Sequence, residues 1–502
     1  MTPHPAPPTA ARPFLALALL VYAAVCAVTL RPEETWTGGD FALYLMHGRD
    51  IAEGLPYAAT GFVQDQANAL MSPAAYPPGF PLLIAPVWAM AGLDLVAVKL
   101  LVTACLAGLL AAVYALARPV LGWRLAVAVA GIAGFMPALF DRRDQILSDV
   151  PAAMWCYAAL VLYEWLRARR AGGWRLPALA VVVALACATR TAGFALAGAL
   201  MLAAIVRWPG PWRSMLRASV LGAVVLGAAA AFLAGRFVHA DGETYLSYFA
   251  ALREEGARGW LLGTADAYSR GLVGAWGLSY GVAGNLAALA VLLLAVAAGW
   301  LLRLREDASA PEAFLVAYAA LLAVFPVRLE PVRYLVPIAP LLVYYAVVAL
   351  AWLAARLGRP GLAAPAAALA AAALFVPYYV QHSPLARAAR SVTSPASEAL
   401  FAAVRQDVAP GDLVLARNPR VLALFTRRRA ATWPAQLTPE RFWSYAGQSG
   451  AGWVLDEVTP PTADSREAHA VVAAPGAATL AYGNDEFLLW RLPAAKPGIP
   501  AN

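Results

Sequence analysis

From Phe14 to about residue 380 the chain reads as a succession of apolar runs parted by short, arginine-rich loops. Most runs approach the ~20 residues that a bilayer core demands of a spanning helix. A helix that is apolar on every side has to be covered on every side, by lipid or by other helices. That leaves a polytopic α-helical membrane protein. Composition agrees, with 61% of the 502 residues hydrophobic and 14% charged, against about 45–50% and about a quarter in soluble domains. Soluble multidomain, disordered, collagenous and small disulfide-scaffold readings are excluded.

The first run, Phe14–Leu30, follows a Pro-rich stretch at 1–13 that is expected to be disordered. Arg12 alone makes a weak n-region, and Val28-Thr29-Leu30 is a poor cleavage site, so a retained span is expected rather than a signal peptide. Ten further spans are placed at 94–117, 124–140, 151–166, 176–189, 191–206, 215–235, 281–302, 311–327, 334–355 and 361–380. Phe80–Ala91 contains Pro81 and Pro86 and reads as a re-entrant or interfacial half-helix.

Arginines collect in alternate loops: Arg118 and Arg124, Arg167 to Arg175, Arg207 to Arg217, Arg303 and Arg305, Arg356 and Arg359. The intervening loops collect acids, among them Asp40, Asp50, Asp65, Asp141, Asp144, Asp149 and Asp241. Basic residues stay on the cytoplasmic side, which gives about eleven spans with the N-terminus inside and the C-terminus outside. The outer regions are then 31–79, 236–280 and a tail at 381–502. In that tail Pro, Gly and charges replace the apolar runs. Strands at Leu413–Ala416, Trp453–Val458 and Glu486–Leu492, with helices at Ser397–Gln406 and Pro439–Ala446, make it a small extracytoplasmic α/β domain.

The formal charge of +8 comes from scattered groups rather than a stripe able to track phosphates, so no nucleic-acid partner is expected. All four cysteines lie inside apolar runs, and the five histidines show no HExxH spacing, so neither a disulfide framework nor a metal site is expected.

Three groups of residues could carry chemistry. Asp40 opens an amphipathic stretch, Phe41 to Leu55, suited to lying in the outer membrane interface. It is either an ordinary helix N-cap or a carboxylate made more basic by partial desolvation. Asp141-Arg142-Arg143-Asp144 and Asp149 share a short loop, in which Asp149 can cap the next helix and the arginines can anchor at the interface or meet a phosphorylated substrate. Arg190 and the group Arg328, Glu330, Arg333 and Tyr334 add cations near the bilayer edge, where charge is costly enough to point to function. A transporter or flippase of lipid-linked glycans is the alternative class, but it would favour repeated halves and ionisable groups deep in the spans.

The order Gly39-Asp40…Tyr44…Gly54-Leu55-Pro56-Tyr57, then Tyr76-Pro77-Pro78-Gly79-Phe80-Pro81-Leu82, then Ile146-Leu147-Ser148-Asp149-Val150-Pro151 resembles GT-C glycosyltransferases. The branch containing protein O-mannosyltransferases and lipid A aminoarabinose transferases is the most similar. Arg333-Tyr334-Leu335-Val336-Pro337-Ile338-Ala339-Pro340 is similar to their motif before a late span. The resemblance covers roughly residues 30–380. It implies an enzyme of the plasma (bacterial inner) membrane that takes a sugar from a polyprenyl-phosphate donor to a glycan, lipid or protein acceptor on the outer face. It also implies that Asp40 serves the acceptor, with Asp149 the second-loop Asp and Arg143 the nearby arginine. Many relatives have an acid after the first Asp, and some a Lys before the paired prolines. Phe41 and Tyr76 stand there here, which turns attention to Arg190 and Arg333, beside Tyr334, for the donor phosphate. A metal or other cofactor is not called for, and dependence on a divalent ion stays open.

Overall fold

The computed structural model describes residues 11–36, 39–64, 72–168, 174–206, 220–229, 250–279, 281–325, 330–386, 390–433, 438–458 and 463–493. The first ten residues, Asp65, Asp241, Arg207 to Arg217, Arg328, much of the span expected at 215–235 and the first part of loop 236–280 lie outside the described residues.

Helices dominate up to residue 381. They are α1 (Ala11–Val28), α2 (Asp40–Glu53), α3 (Gly79–Ala91), α4 (Leu95–Phe135), α5 (Pro137–Phe140), α6 (Asp149–Ala168), α7 (Arg175–Thr189) and α8 (Gly193–Val206). After α9 (Val220–Ala229) come α10 (Ala250–Ala275), α11 (Ala283–Asp307), α12 (Ala310–Val324), α13 (Pro331–Leu335), α14 (Ala339–Arg356) and α15 (Ala363–Gln381). Among the described residues four helices are long and apolar enough to cross a membrane: Leu95–Phe135, Ala283–Asp307, Ala339–Arg356 and Pro360–Gln381. Shorter apolar helices of 10–17 residues accompany them.

At 41 residues α4 would reach about 60 Å if straight, twice a bilayer core. It breaks at Gly122, whose φ of 76° only glycine adopts freely. The two halves then run back along each other. Lys99 Nζ donates to the carbonyl of Arg31 at 2.8 Å, and Thr103 Oγ1 to that of Arg143 at 3.0 Å. Both ends of the hairpin thus meet at one end of the bundle, as two antiparallel segments require. Backbones approach closely where glycine allows: a Cβ on Gly299 of α11 would lie 1.9 Å from the carbonyl oxygen of Tyr345 in α14.

Residues after 390 build a five-stranded mixed sheet in the order β2-β1-β3-β5-β4, from β1 (Leu413–Ala416), β2 (Arg429–Ala431), β3 (Ala451–Glu457), β4 (Thr479–Gly483) and β5 (Phe487–Arg491). β1 pairs in parallel with both β2 and β3, while β5 is antiparallel to β3 and β4. The parallel pairs need crossovers, supplied by α17 (Pro419–Thr426) and α18 (Pro439–Ser449); α16 (Pro395–Asp407) and α19 (Ala463–Val472) complete the region.

Side chains alternate across this sheet. Val414, Leu455, Phe487 and Leu489 join the same core as the bundle, whereas Leu413, Leu415 and Val454 meet Phe442, Tyr445 and Val472 on the other face. Both faces being covered explains why β1 is apolar throughout. Trp36, from the segment after α1, seals the junction: it stacks on Phe401 and donates to Ser397 Oγ at 2.8 Å.

The setting of α2 corrects the interfacial helix expected from its periodicity. Residues Phe41 to Asp50 are all buried, because α3 covers one side and α17 the other. Arg49 and Asp50, which an interfacial helix would leave in water, pair with each other at 2.6 Å in the interior.

Candidate active site

Five charged side chains form a chain of alternating sign at the end of the bundle where α2 and α6 begin. Asp40 is the first residue of α2, following Gly39, whose φ of 64° turns the chain into the helix. Its carboxylate does not cap that helix. Instead Oδ2 accepts from Arg333 Nη1 at 2.8 Å, and Oδ1 accepts from Tyr76 Oη at 2.6 Å and from Arg420 Nη1 at 3.0 Å. Asp149, the first residue of α6, accepts from Arg333 Nε at 2.8 Å through Oδ2 and pairs with Arg190 through Oδ1. The order is therefore Arg420–Asp40–Arg333–Asp149–Arg190. Three cations alternate with two anions along this chain, and Glu330 lies 3.6 Å from Arg333 Nη1 at its edge.

Local structure explains how these residues meet. Arg190 lies in extended conformation between α7 and α8. There Gly193 passes so close to Ala186 that a Cβ would sit 2.5 Å from its backbone. Gly79, at the start of α3, leaves the same 2.5 Å to Thr189 Oγ1 and 2.6 Å to its N, which sets Tyr76-Pro77-Pro78 beside the end of α7. Arg333 sits in α13, a single turn entered through Glu330 at a φ of 53°. A non-glycine residue in that region, directly before Pro331, is strained. Tyr334 faces the guanidinium of Arg190, 5.3 Å from its ring centroid. Tyr44, one turn into α2, bonds Ser148 Oγ at 2.8 Å and meets Tyr76 and Phe80 edge-on.

Burial pushes the Asp40 carboxyl up, but Arg333 and Arg420 more than offset it and hold the group below the usual carboxylate range. The extra basicity expected from desolvation alone is therefore absent while both arginines face the carboxylate. Arg333 is held well above its usual value: burial works against its charge, and Asp149 and Asp40 override burial. Arg142 goes the other way, lowered by burial although Asp149 supports its charge.

No family model matches the chain, and no curated protein matches it by sequence. Solved structures do match. ArnT from Cupriavidus metallidurans bound to undecaprenyl phosphate superposes with a TM-score of 0.60 at 15% identity, covering 97% of this chain and 99% of that one. The archaeal oligosaccharyltransferase AglB from Archaeoglobus fulgidus, in complex with an inhibitory peptide and a dolichol-phosphate, gives 0.58 at 11% identity over 89% of this chain and 69% of that one. The Archaeoglobus fulgidus oligosaccharyltransferase in complex with Zn and sulfate gives 0.57 at 15%, over 91% and 70%. The chain has the GT-C fold.

Within the GT-C fold the structure brings together Asp40, Asp149, Arg190, Arg333, Tyr334 and Tyr76, which lie far apart in sequence. Arg143 is not among them. Its guanidinium donates to the carbonyls of Thr29, Phe140 and Pro384 and lies 3.7 Å from Asp144, with the side chain 1% exposed. It ties the ends of α1 and α15 to the loop before α6. Its neighbour Arg142 is the one coupled to Asp149 and Arg333. Sequence reasoning also missed Arg420, in the first turn of α17, since nothing in Asn418-Pro419-Arg420 beyond a helix start marks it. Among the described residues no group of three or more His, Cys, Asp or Glu could hold a metal ion.

Proposed function

We propose that this chain is an integral membrane glycosyltransferase that moves a sugar from a polyprenyl-phosphate donor to an acceptor hydroxyl or amide of a glycan, lipid or protein. The bridging of Asp40 and Asp149 by one arginine, flanked by further cations, carries this reading. The site gathers Arg190, Arg333 and Arg420 around two aspartates, a density of cations that suits a phosphate. The likeness to ArnT bound to undecaprenyl phosphate supports the same ligand class. Aligned apolar helices beside the site suit a prenyl tail.

In this reading the donor phosphate takes up Arg333 and Arg190, whose charge-assisted bonds stabilise the prenyl phosphate as it leaves. Arg333 then releases Asp40 Oδ2. Freed of that cation, the carboxylate recovers the basicity that burial gives it and accepts the acceptor's proton. The acceptor atom forms its bond to the anomeric carbon, the carbon–phosphate-oxygen bond breaks, and the electron pair departs with the prenyl phosphate. One displacement gives inversion. Asp149 holds Arg333 and Arg190 in place. We assign the site to the extracytoplasmic face of the plasma membrane in a chain of about eleven spans, because Arg167 and Arg303 gather at the opposite end of the bundle.

The test uses the purified full chain in detergent and undecaprenyl phosphate as probe. The wild type binds it, and Arg333→Gln weakens binding by roughly 10- to 100-fold, the loss of one charge-assisted contact. With an undecaprenyl-phosphate-linked sugar, Asp40→Asn keeps binding while turnover falls by about 10²-fold or more. Absence of binding in the wild type, or full turnover in Asp40→Asn, overturns the reading.

A further inference from the structure

Arg420 belongs to the C-terminal region, about 380 positions from the aspartate it touches. Its side chain is 5% exposed, and its guanidinium carbon lies 5.2 Å from the ring centroid of Phe62 and 5.4 Å from that of Tyr76. Aromatic neighbours at these distances favour the charge of a desolvated guanidinium. From there Nη1 reaches Asp40 Oδ1 at 3.0 Å and Tyr76 Oη at 2.9 Å, while Tyr76 donates to the same Oδ1 at 2.6 Å. Arg420, Tyr76 and Oδ1 thus close a triangle, and each member is held by the other two.

The two oxygens of Asp40 differ as a result. Oδ1 is fixed by a tyrosine of the loop before α3 and an arginine of α17. Among the described residues Oδ2 is held by Arg333 alone. Among the charged and titratable groups around this carboxylate, Arg333 comes from α13, Arg420 from α17, Tyr76 from the loop and Tyr44 from α2 itself. Arg333 also serves Asp149. The partner that sits over two carboxylates is the one a donor phosphate can draw away; the one boxed in by Phe62 and Tyr76 is not.

We propose that Arg420 is a positioning residue for Asp40: with Tyr76 it anchors Oδ1 and aims Oδ2 at the incoming acceptor, so that the C-terminal region completes the catalytic centre of the bundle. The inference rests on the reading of Asp40 as the base. It assigns to the C-terminal α/β region a part in the reaction itself, beyond any role in holding an acceptor. It also limits the anion-binding task to Arg333 and Arg190.

A carbodiimide reacts with a carboxylic acid only in its protonated form, so its reaction with Asp40, read by peptide mass spectrometry of the full chain in detergent, follows the charge of that carboxyl without any substrate. Removing a cation raises the carboxyl's pKa and increases the protonated fraction at a given pH. Arg420→Gln should therefore shift the pH of half-modification upward and speed modification at pH 5 by about tenfold, one pKa unit. Arg420→Lys opens similar space but keeps the charge, and should stay close to the wild type. Tyr76→Phe should fall between them. Undecaprenyl-phosphate affinity should remain within about threefold in Arg420→Gln.

An Asp40 modification profile unmoved in Arg420→Gln, or moved equally in Arg420→Lys, overturns the inference. So does a tenfold loss of undecaprenyl-phosphate affinity with the profile unmoved, which makes Arg420 a phosphate ligand instead. Wild-type protein that fails to bind undecaprenyl phosphate sinks the proposed function, while the carbodiimide profile still judges the placement of Arg420.

Discussion

Two neighbouring arginines, Arg142 and Arg143, divide structure from site. Arg143 donates to three backbone carbonyls, and the ring centroid of Phe140 lies 4.3 Å from its guanidinium carbon. Arg143→Ala takes the side-chain donor from the Thr29 and Pro384 carbonyls, while the Phe140 carbonyl keeps the backbone N–H of residue 143 at 3.1 Å. It should lower stability by on the order of 2 kcal/mol, with undecaprenyl-phosphate affinity near wild type in the folded fraction. Arg190→Ala should do the reverse, weakening binding about tenfold while thermal unfolding in detergent changes little. An equal loss of phosphate binding in both would return Arg143 to the site. A second residue-scale effect concerns acid. Burial raises the Asp144 carboxyl, but bonds from Arg31 and the charge of Arg143 hold it below the usual range. A lowered folded pKa stabilises above the unfolded value of about 4 and is lost as pH falls through the folded value. Arg31→Gln should therefore be less stable at pH 7 and converge on the wild type as the pH drops below about 4. Parallel stability–pH curves would show that Asp144 does not depend on Arg31.

Among the elements, the start of α3 and the end of α7 set the width of the site. Their backbones touch at Gly79, where a Cβ would meet Thr189 and Ala188 at 2.5–2.7 Å. Gly79→Ala must push the end of α7, with Arg190, away from Tyr76. Such overpacking typically costs about 1–3 kcal/mol, and here it should also cost several-fold in undecaprenyl-phosphate affinity. Gly131→Ala in α4 is the control, since nothing lies within 4 Å of its added Cβ and alanine favours the helix. If Gly79→Ala binds as the wild type does, the spacing between α3 and α7 is not what places Arg190. The Tyr76-Pro77-Pro78-Gly79 sequence thus has a steric reason for its glycine that is separate from any contact with substrate.

On the scale of the whole molecule, the sheet region and the bundle share a core, so their relative placement is fixed by apolar packing as well as by the Asp40–Arg420 pair. Orientation across the membrane can be read with two cysteines. Asp407→Cys places a thiol at the exposed end of α16, and Arg359→Cys places one beyond α14 at the opposite end of the bundle. The four native cysteines are buried and should not interfere. In intact cells an impermeant thiol reagent should label the first and spare the second until the membrane is permeabilised. The opposite pattern would put the site on the cytoplasmic side and remove the proposed face of transfer.

Sequence alone determined the chemical character of the segments. Apolar runs fix where helices form, because burying or lipid-coating such a stretch requires its backbone to bond within itself. Those runs gave α1, α6, α7, α8, α11, α12 and α15 within a few residues. The helices expected at Ser397–Gln406 and Pro439–Ala446 lie within Pro395–Asp407 and Pro439–Ser449. Arg190 and Arg333 stood out as cations costly near a bilayer edge, while Asp40 and Asp149 stayed open between helix cap and chemical carboxylate. Three things were decided only by tertiary structure. The edge strands β2 and β4 each take their place from a single neighbour, β1 and β5, which only the assembled sheet supplies. The burial of α2 follows from α17 covering its polar face, a contact between residues some 380 positions apart that no local period records. The choice between Arg142 and Arg143 turned on which way each side chain leaves the same turn. Adjacent residues share composition and register, and only the carbonyls of Thr29 and Pro384, brought in by α1 and the end of α15, decide which of the two becomes a strut.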